Sequence, residues 1–106
     1  MNKLKITSAE MVRAARARIT EIETDELIQQ LDDPSLLIVD IRDIRERQKT
    51  GFIPGSFHAP RGMLEFWIDP DSPYAKEEFR SGKKFVFFCA GGMRSALATK
   101  IAKDMG

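Results

Sequence analysis

The chain has 106 residues, a one-domain length, and its hydrophobic (42%) and charged (31%) fractions are ordinary for a globular protein. A formal net charge of +1 gives no bulk signal for a nucleic-acid or membrane partner, and neither is expected. The single cysteine, Cys89, and single histidine, His58, exclude an intrachain disulfide and a cysteine-rich zinc cluster, so no metal site is expected.

The charges are unevenly placed. Residues 1–19 carry five Lys/Arg and one Glu, whereas residues 20–46 carry two Arg and nine Asp/Glu. A basic arm beside an acidic segment reads as exposed faces or internal pairing. A lone free thiol suits a reducing compartment. No apolar run approaches the roughly 20 residues that span a bilayer, and no apolar signal region opens the chain. The expected location is the cytoplasm.

In chain order, Thr7 and Glu10 form a capping box, which predicts a helix with apolar positions at Ala9, Val12, Ala15 and Ile19. This accessory helix belongs to residues 1–19, and the main domain to 20–106. A short extended piece is expected over Thr20–Ile22. Thr24 is expected to cap a second helix running through Leu31, with Asp25 and Glu26 at its positive end. Asp33-Pro34-Ser35 signals a turn. Leu36–Asp40 is a continuous apolar run ending in a carboxylate, the pattern of a parallel strand buried on both faces. Functional groups of α/β folds gather at that end of a strand. A short helix over Ile44–Lys49 stops at Gly51, and another strand is expected near Phe57–Ala59. The mixed stretch Pro60–Ser81 has room for helices at Met63–Trp67 and Tyr74–Phe79. Lys84–Phe88 is a further apolar strand leading straight into Cys89. A helix over Ser95–Lys103, capped by Gly106, follows. Strands alternating with helices define an α/β fold with a mainly parallel sheet.

The chemistry gathers at Cys89-Ala90-Gly91-Gly92-Met93-Arg94-Ser95, between a strand and a helix. Glycines let the loop turn its backbone N–H groups inward, and with the helix N-terminus these make an anion cradle. The same field favours a thiolate, and cysteines so placed have a pKa of roughly 3.5–7.5. Arg94 adds a fixed positive charge able to orient an oxyanion. A cysteine nucleophile is one reading of this loop. A buried structural cysteine at a strand end is the other.

The loop resembles the C-x-x-G-x-R-S active-site loop of rhodanese domains, through Cys89, Gly92, Arg94 and Ser95. A second stretch agrees: rhodanese domains carry a strand ending in D-x-R, then an acidic residue, then G-H-I-P-G-A. Here these are Asp40, Arg42, Glu46, Gly51, Phe52, Ile53, Pro54, Gly55 and Ser56, with Phe52 for the usual histidine and Ser56 for the usual alanine. Pro60–Trp67 is also similar to a bacterial single-domain subgroup. The resemblance covers roughly residues 20–106. It implies a rhodanese-like three-layer α/β fold and a sulfurtransferase that carries sulfane sulfur on Cys89 as a persulfide. Sulfur would pass from thiosulfate or a similar donor to a thiol or cyanide. The amides of Ala90, Gly91, Gly92, Met93, Arg94 and Ser95 would hold the persulfide, with Arg94 on the donor's anionic end. Asp40 and Arg42 would brace the loop. No cofactor is implied. Rhodanese domains continue past this helix with a last strand and helix, so the resemblance also implies a C-terminally incomplete domain. The missing strand is expected between the extended piece near Ile22 and the strand carrying Cys89, leaving an exposed edge.

Two other functions compete. A non-catalytic binding or regulatory module could use the same fold, although inactive modules of the family commonly lack the cysteine. Related phosphatases place five residues between cysteine and arginine. Here four separate Cys89 from Arg94, a tighter cradle that favours sulfur over phosphate. Partners are expected to be a small sulfur donor and an external thiol acceptor, and a homo-oligomer is left open. His58, Arg61, Phe66 and Trp67 read as rim, surface or packing residues.

Overall fold

The computed structural model describes residues 3–106. Three parallel strands form its sheet: β1 (Leu36–Asp40), β2 (Phe57–His58) and β3 (Lys84–Phe88). Their order is β2-β1-β3. β1 is central: its first four residues are apolar, and its last three, Ile38, Val39 and the carboxylate Asp40, are buried. It pairs with β3 over its full length, from Leu36 opposite Lys84 to Asp40 opposite Phe88. β2 adds a shorter ladder, with Val39 opposite Phe57. The main chain stays laced just past the strands: Ile41 N donates to Phe88 O at 3.0 Å and Ala59 N to Asp40 O at 2.9 Å. The strand ends that carry Asp40 and Cys89 are therefore held side by side.

The helices are α1 (Ser8–Arg16), α2 (Thr24–Gln29), α3 (Ile44–Thr50), α4 (Leu64–Ile68) and α5 (Met93–Met105). The Thr7–Glu10 capping box that starts α1 is present in both directions. A second such box, Asp43 with Glu46, starts α3. α5 packs against β3 and α4, and α1 packs against α5. The α1–α5 seam buries Val12 and Ala15 against Ala96, with Ile19 and Leu97 beside them. Lys103 Nζ closes it by donating to Arg18 O at 2.6 Å. No helix among the described residues is long and apolar enough to cross a membrane.

The main core is Val39, Ile41, Ala59, Leu64, Cys89 and Ala98. Residues 60–81, the least patterned part of the sequence, are joined to it through aromatic side chains. Phe57 lies 5.9 Å from both Trp67 and Phe79, and Phe79 lies 5.5 Å from Phe85. Such contacts add about 0.5–1.5 kcal/mol beyond area burial. The helix expected at Met63–Trp67 is α4, shifted by one residue, whereas the one expected at Tyr74–Phe79 is only a short 3₁₀ turn. Arg61–Met63 is a 3₁₀ turn leading into α4, and Glu77–Arg80 is a second one.

Two other expectations need correction. Thr24 is the first residue of α2 rather than its cap; Glu23 takes the cap position without a side-chain bond, and the helix stops before Leu31. Thr20–Ile22 is irregular, not a strand. The outer edge of β3 pairs with no strand among the described residues, so this segment has no ladder to join. It forms instead the far wall of a groove of about 410 Å³ along β3.

Leu64 is 0% exposed, so Leu64→Ala should leave a cavity and cost about 2–5 kcal/mol. A fall in denaturant midpoint at unchanged slope is the expected result; an unaffected midpoint would show that residues 60–81 lie outside the cooperative core.

Candidate active site around Cys89

The Cys89 side chain ends where β3 stops and the glycine loop begins, at 6% exposure. Gly92 N donates to its Sγ at 3.1 Å and Ser95 N at 3.3 Å. The Ser95 hydroxyl lies 3.4 Å from the sulfur and also donates to Gly92 O at 3.2 Å. On ionisation of the thiol, that hydroxyl is placed to donate to sulfur. Burial pushes the thiol up, but the Ser95 hydroxyl and the amides of Ser95, Gly92 and Gly91 outweigh it. The net effect holds Cys89 below the ordinary cysteine range. Gly92 makes the turn possible. Its φ of +86° is a left-handed conformation that L side chains avoid, and it is the residue that starts α5.

A buried charge cluster stands beside the loop. Asp40, at 0% exposure, accepts from Arg42 Nε at 2.9 Å, Arg42 Nη2 at 2.8 Å and Arg47 Nη1 at 2.9 Å. Burial alone would raise its carboxyl, but the bonds from Arg42, with Arg47 adding to them, hold it below the usual value. Arg42 reaches further, to Thr50 Oγ1 at 3.0 Å and Gly51 O at 2.9 Å. Its guanidinium also lies 5.1 Å from the centre of the Phe88 ring, next to Cys89 in sequence. His58 Nε2 donates to Arg42 O at 2.7 Å, since a carbonyl only accepts.

Arg94 is spanned by Glu46, with Nη1–Oε1 at 2.7 Å and Nη2–Oε2 at 3.0 Å. Hydrogen bonding from Arg94 and from the Asp43 amide lowers the Glu46 carboxyl to about 2. The expectation that Arg94 holds a donor's anionic end thus meets a guanidinium already engaged by a carboxylate. Of the six loop residues, Gly91, Gly92 and Ser95 face the sulfur through their amides. Ala90 and Met93 are exposed, Met93 at 62%, and the hydrogen bonds to the sulfur come from other residues of the loop. Asp40 and Arg42 lie at the neighbouring strand end, Arg42 packed on Phe88.

Three residues beyond the expected set join the site. Glu46 was visible as a motif residue but without a task. Arg47 follows it directly, and nothing in the sequence pairs it with Asp40. Arg16, on α1, brings Nη2 to 3.3 Å from where a Cβ on Gly92 would stand. That approach depends on the tertiary α1–α5 seam and leaves no local pattern.

Comparisons with known proteins agree with this arrangement. The family description Rhodanese-like domain matches residues 23–106. A Drosophila melanogaster protein named "Rhodanese domain-containing protein CG4456" is 33% identical over 78 residues, covering 69% of this chain and 70% of its own. "Putative sulfurtransferase YtwF" of Bacillus subtilis (strain 168) is 32% identical over 89 residues, covering 83% of this chain and 78% of its own. A solved structure from Rhodopseudomonas palustris CGA009, described as a "Protein of Unknown Function RPA3614, Possible Tyrosine Phosphatase", superposes with a TM-score of 0.96 at 50% identity. The match covers all of this chain and 82% of that one. An open parallel sheet with helices packed on it and a cysteine loop at the end of β3 defines an α/β domain consistent with the rhodanese fold. This chain belongs to the rhodanese-like family.

Asp40→Asn should destabilise the domain by about 3–5 kcal/mol in denaturant titration, because Arg42 and Arg47 would keep buried charge without a counter-ion. The Asp40 carboxyl is depressed on folding, so its contribution is complete above about pH 4 and is lost as pH falls through the folded value. The native chain should therefore lose more stability than the Asn variant over that acid range.

The pH midpoint for alkylation of Cys89 by iodoacetamide should lie below about 8.5, the free-cysteine value. Ser95→Ala should raise it. A midpoint at or above that of a model thiol would refute the anion-stabilising role of the loop.

Proposed function

We propose that the protein is a sulfurtransferase carrying sulfane sulfur on Cys89, taken from thiosulfate or a similar donor and given to an external thiol or cyanide. The observation that carries this reading is the cradle around the sulfur. Two loop amides donate to Sγ within 3.3 Å, and the Ser95 hydroxyl, which accepts from the thiol at 3.4 Å, is placed to donate once the thiol ionises. Such donors stabilise charge that sits on sulfur, whether on the thiolate or on the outer atom of a persulfide.

The transfer needs no cofactor. The Cys89 thiolate attacks the outer sulfur of thiosulfate. A sulfur–sulfur bond forms to Cys89 as the bond within thiosulfate breaks, and sulfite leaves with the electron pair. An acceptor thiolate or cyanide then attacks the outer persulfide sulfur, and Cys89 departs as thiolate. The sequence has no second cysteine, so no internal thiol is available to resolve the persulfide.

The description of the Rhodopseudomonas palustris structure brings a phosphatase reading into view. Two features favour sulfur instead. Four residues separate Cys89 from Arg94, and Arg94 is bound at both terminal nitrogens by Glu46 rather than presented to a phosphate. A cytoplasmic setting, where low-molecular-weight thiols are plentiful, fits an external acceptor.

Intact-protein mass spectrometry before and after incubation with thiosulfate tests the proposal. The native chain should gain one sulfur atom, removable by cyanide, and Cys89→Ala should gain none while keeping its fold. Loading of the Ala variant, or a folded native chain that takes no sulfur from thiosulfate or a small-molecule persulfide, would sink the sulfurtransferase reading in favour of a binding module. Hydrolysis of an aryl phosphate dependent on Cys89 would replace it with phosphatase chemistry.

A further inference from the structure

We infer that Arg16, on α1 and outside the segment matched to the family, is the anion-facing cation of the Cys89 site and binds the negative end of the sulfur donor. This rests on the sulfurtransferase reading for the identity of the donor, but not for the anion site itself.

Four arginines stand near the loop, and three are taken. Arg42 and Arg47 close on Asp40, with side chains 6% and 11% exposed. Arg94 is spanned by both oxygens of Glu46. Arg16 differs. Its side chain is 45% exposed, and its ion pair to Glu21 is a single contact from Nε at 3.3 Å, with Glu21 itself 59% exposed. Exposed single-contact pairs of this kind are weak and readily exchanged for another anion. The pair uses Nε, while Nη2 lies against Gly92, whose amide donates to the Cys89 sulfur.

The placement is built rather than incidental. Val12 and Ala15, on the same helix, are buried against Ala96 of α5, so the backbone of α1 is fixed relative to the loop. Gly92 offers no side chain where a Cβ would crowd the guanidinium at 3.3 Å. The groove along β3 is lined by Glu21, the ion-pair partner of Arg16, and by Cys89, Gly92 and Ser95. Thiosulfate reacts at its outer sulfur and carries its charge mainly on the sulfonate oxygens. With the outer sulfur at Cys89, that end needs a cation outside the sulfur cradle, and a planar guanidinium fork matches its geometry. Arg16 exchanges no proton. It holds the group that leaves as sulfite.

The test uses the full chain with Arg16→Gln and Arg16→Lys. Sulfate, an unreactive dianion, is titrated for protection of Cys89 against iodoacetamide, and thiosulfate is assayed for KM and kcat separately. In Arg16→Gln the sulfate concentration giving half-protection should rise about three- to tenfold, with Arg16→Lys in between. The thiosulfate KM should rise by a similar factor at nearly constant kcat. A folded Arg16→Gln chain with unchanged sulfate protection overturns the assignment, as does a native chain that sulfate does not protect. Sulfate protection that depends on Arg16 in a chain that never loads sulfur would uphold the anion site and reject the sulfurtransferase reading alone.

Discussion

Asp40 keeps its charge at 0% exposure because Arg42 and Arg47 both close on it, and the active end of the sheet is organised around that need. A buried carboxylate left alone would be costly enough to neutralise itself. Here its partners come from the segment that follows β1, so satisfying the charge also fixes where the chain goes next. Arg42 ties the strand end to Thr50 and Gly51 at the close of α3, and Arg47 ties α3 to Ser56 just before β2. The same Arg42 guanidinium packs on Phe88, one residue before Cys89. A single buried charge thus couples β1, α3, the turn into β2 and the strand that presents the thiol.

The two departures from the family turn motif gain a meaning from this cluster. Phe52 stands where a histidine is usual and Ser56 where an alanine is usual, and both meet Arg47. The Arg47 guanidinium lies 4.4 Å from the centre of the Phe52 ring, and Nη1 donates to Ser56 Oγ at 3.2 Å. An arginine that shares its carboxylate with another arginine gains from a ring face and a hydroxyl. The departures lie in the turn, as the sequence suggests, but they reach the charge cluster that braces the site.

What the sequence discloses follows from the range of the forces involved. β1 and β3 are read from their apolar runs to the residue, since strands buried in a parallel sheet carry that signal continuously. The Thr7–Glu10 box and the Gly51 stop are local geometry, and they too are legible. Thr20–Ile22 misleads because extended structure requires a neighbour, which no local pattern supplies. The loop sequence locates Cys89 and the amides at Gly92 and Ser95. It does not disclose that Arg94 faces Glu46, 48 positions away, or that Arg16 approaches Gly92 from another helix. Those pairings are set by packing, and packing has no sequence period.

The charges around the Cys89 sulfur bear directly on the persulfide proposed for it. Arg94 and Glu46 cancel, and the exposed pair of Arg16 and Glu21 cancels until a substrate displaces Glu21. Arg42 and Arg47 share one carboxylate, which leaves one uncompensated positive charge in the cluster behind Cys89. A thiolate or a persulfide anion supplies one negative charge, so either form brings the inner site to neutrality. Under the sulfurtransferase proposal, the inner cluster balances the single charge on sulfur, and the further charge of a dianionic donor falls to the rim, where Arg16 is proposed to bind it.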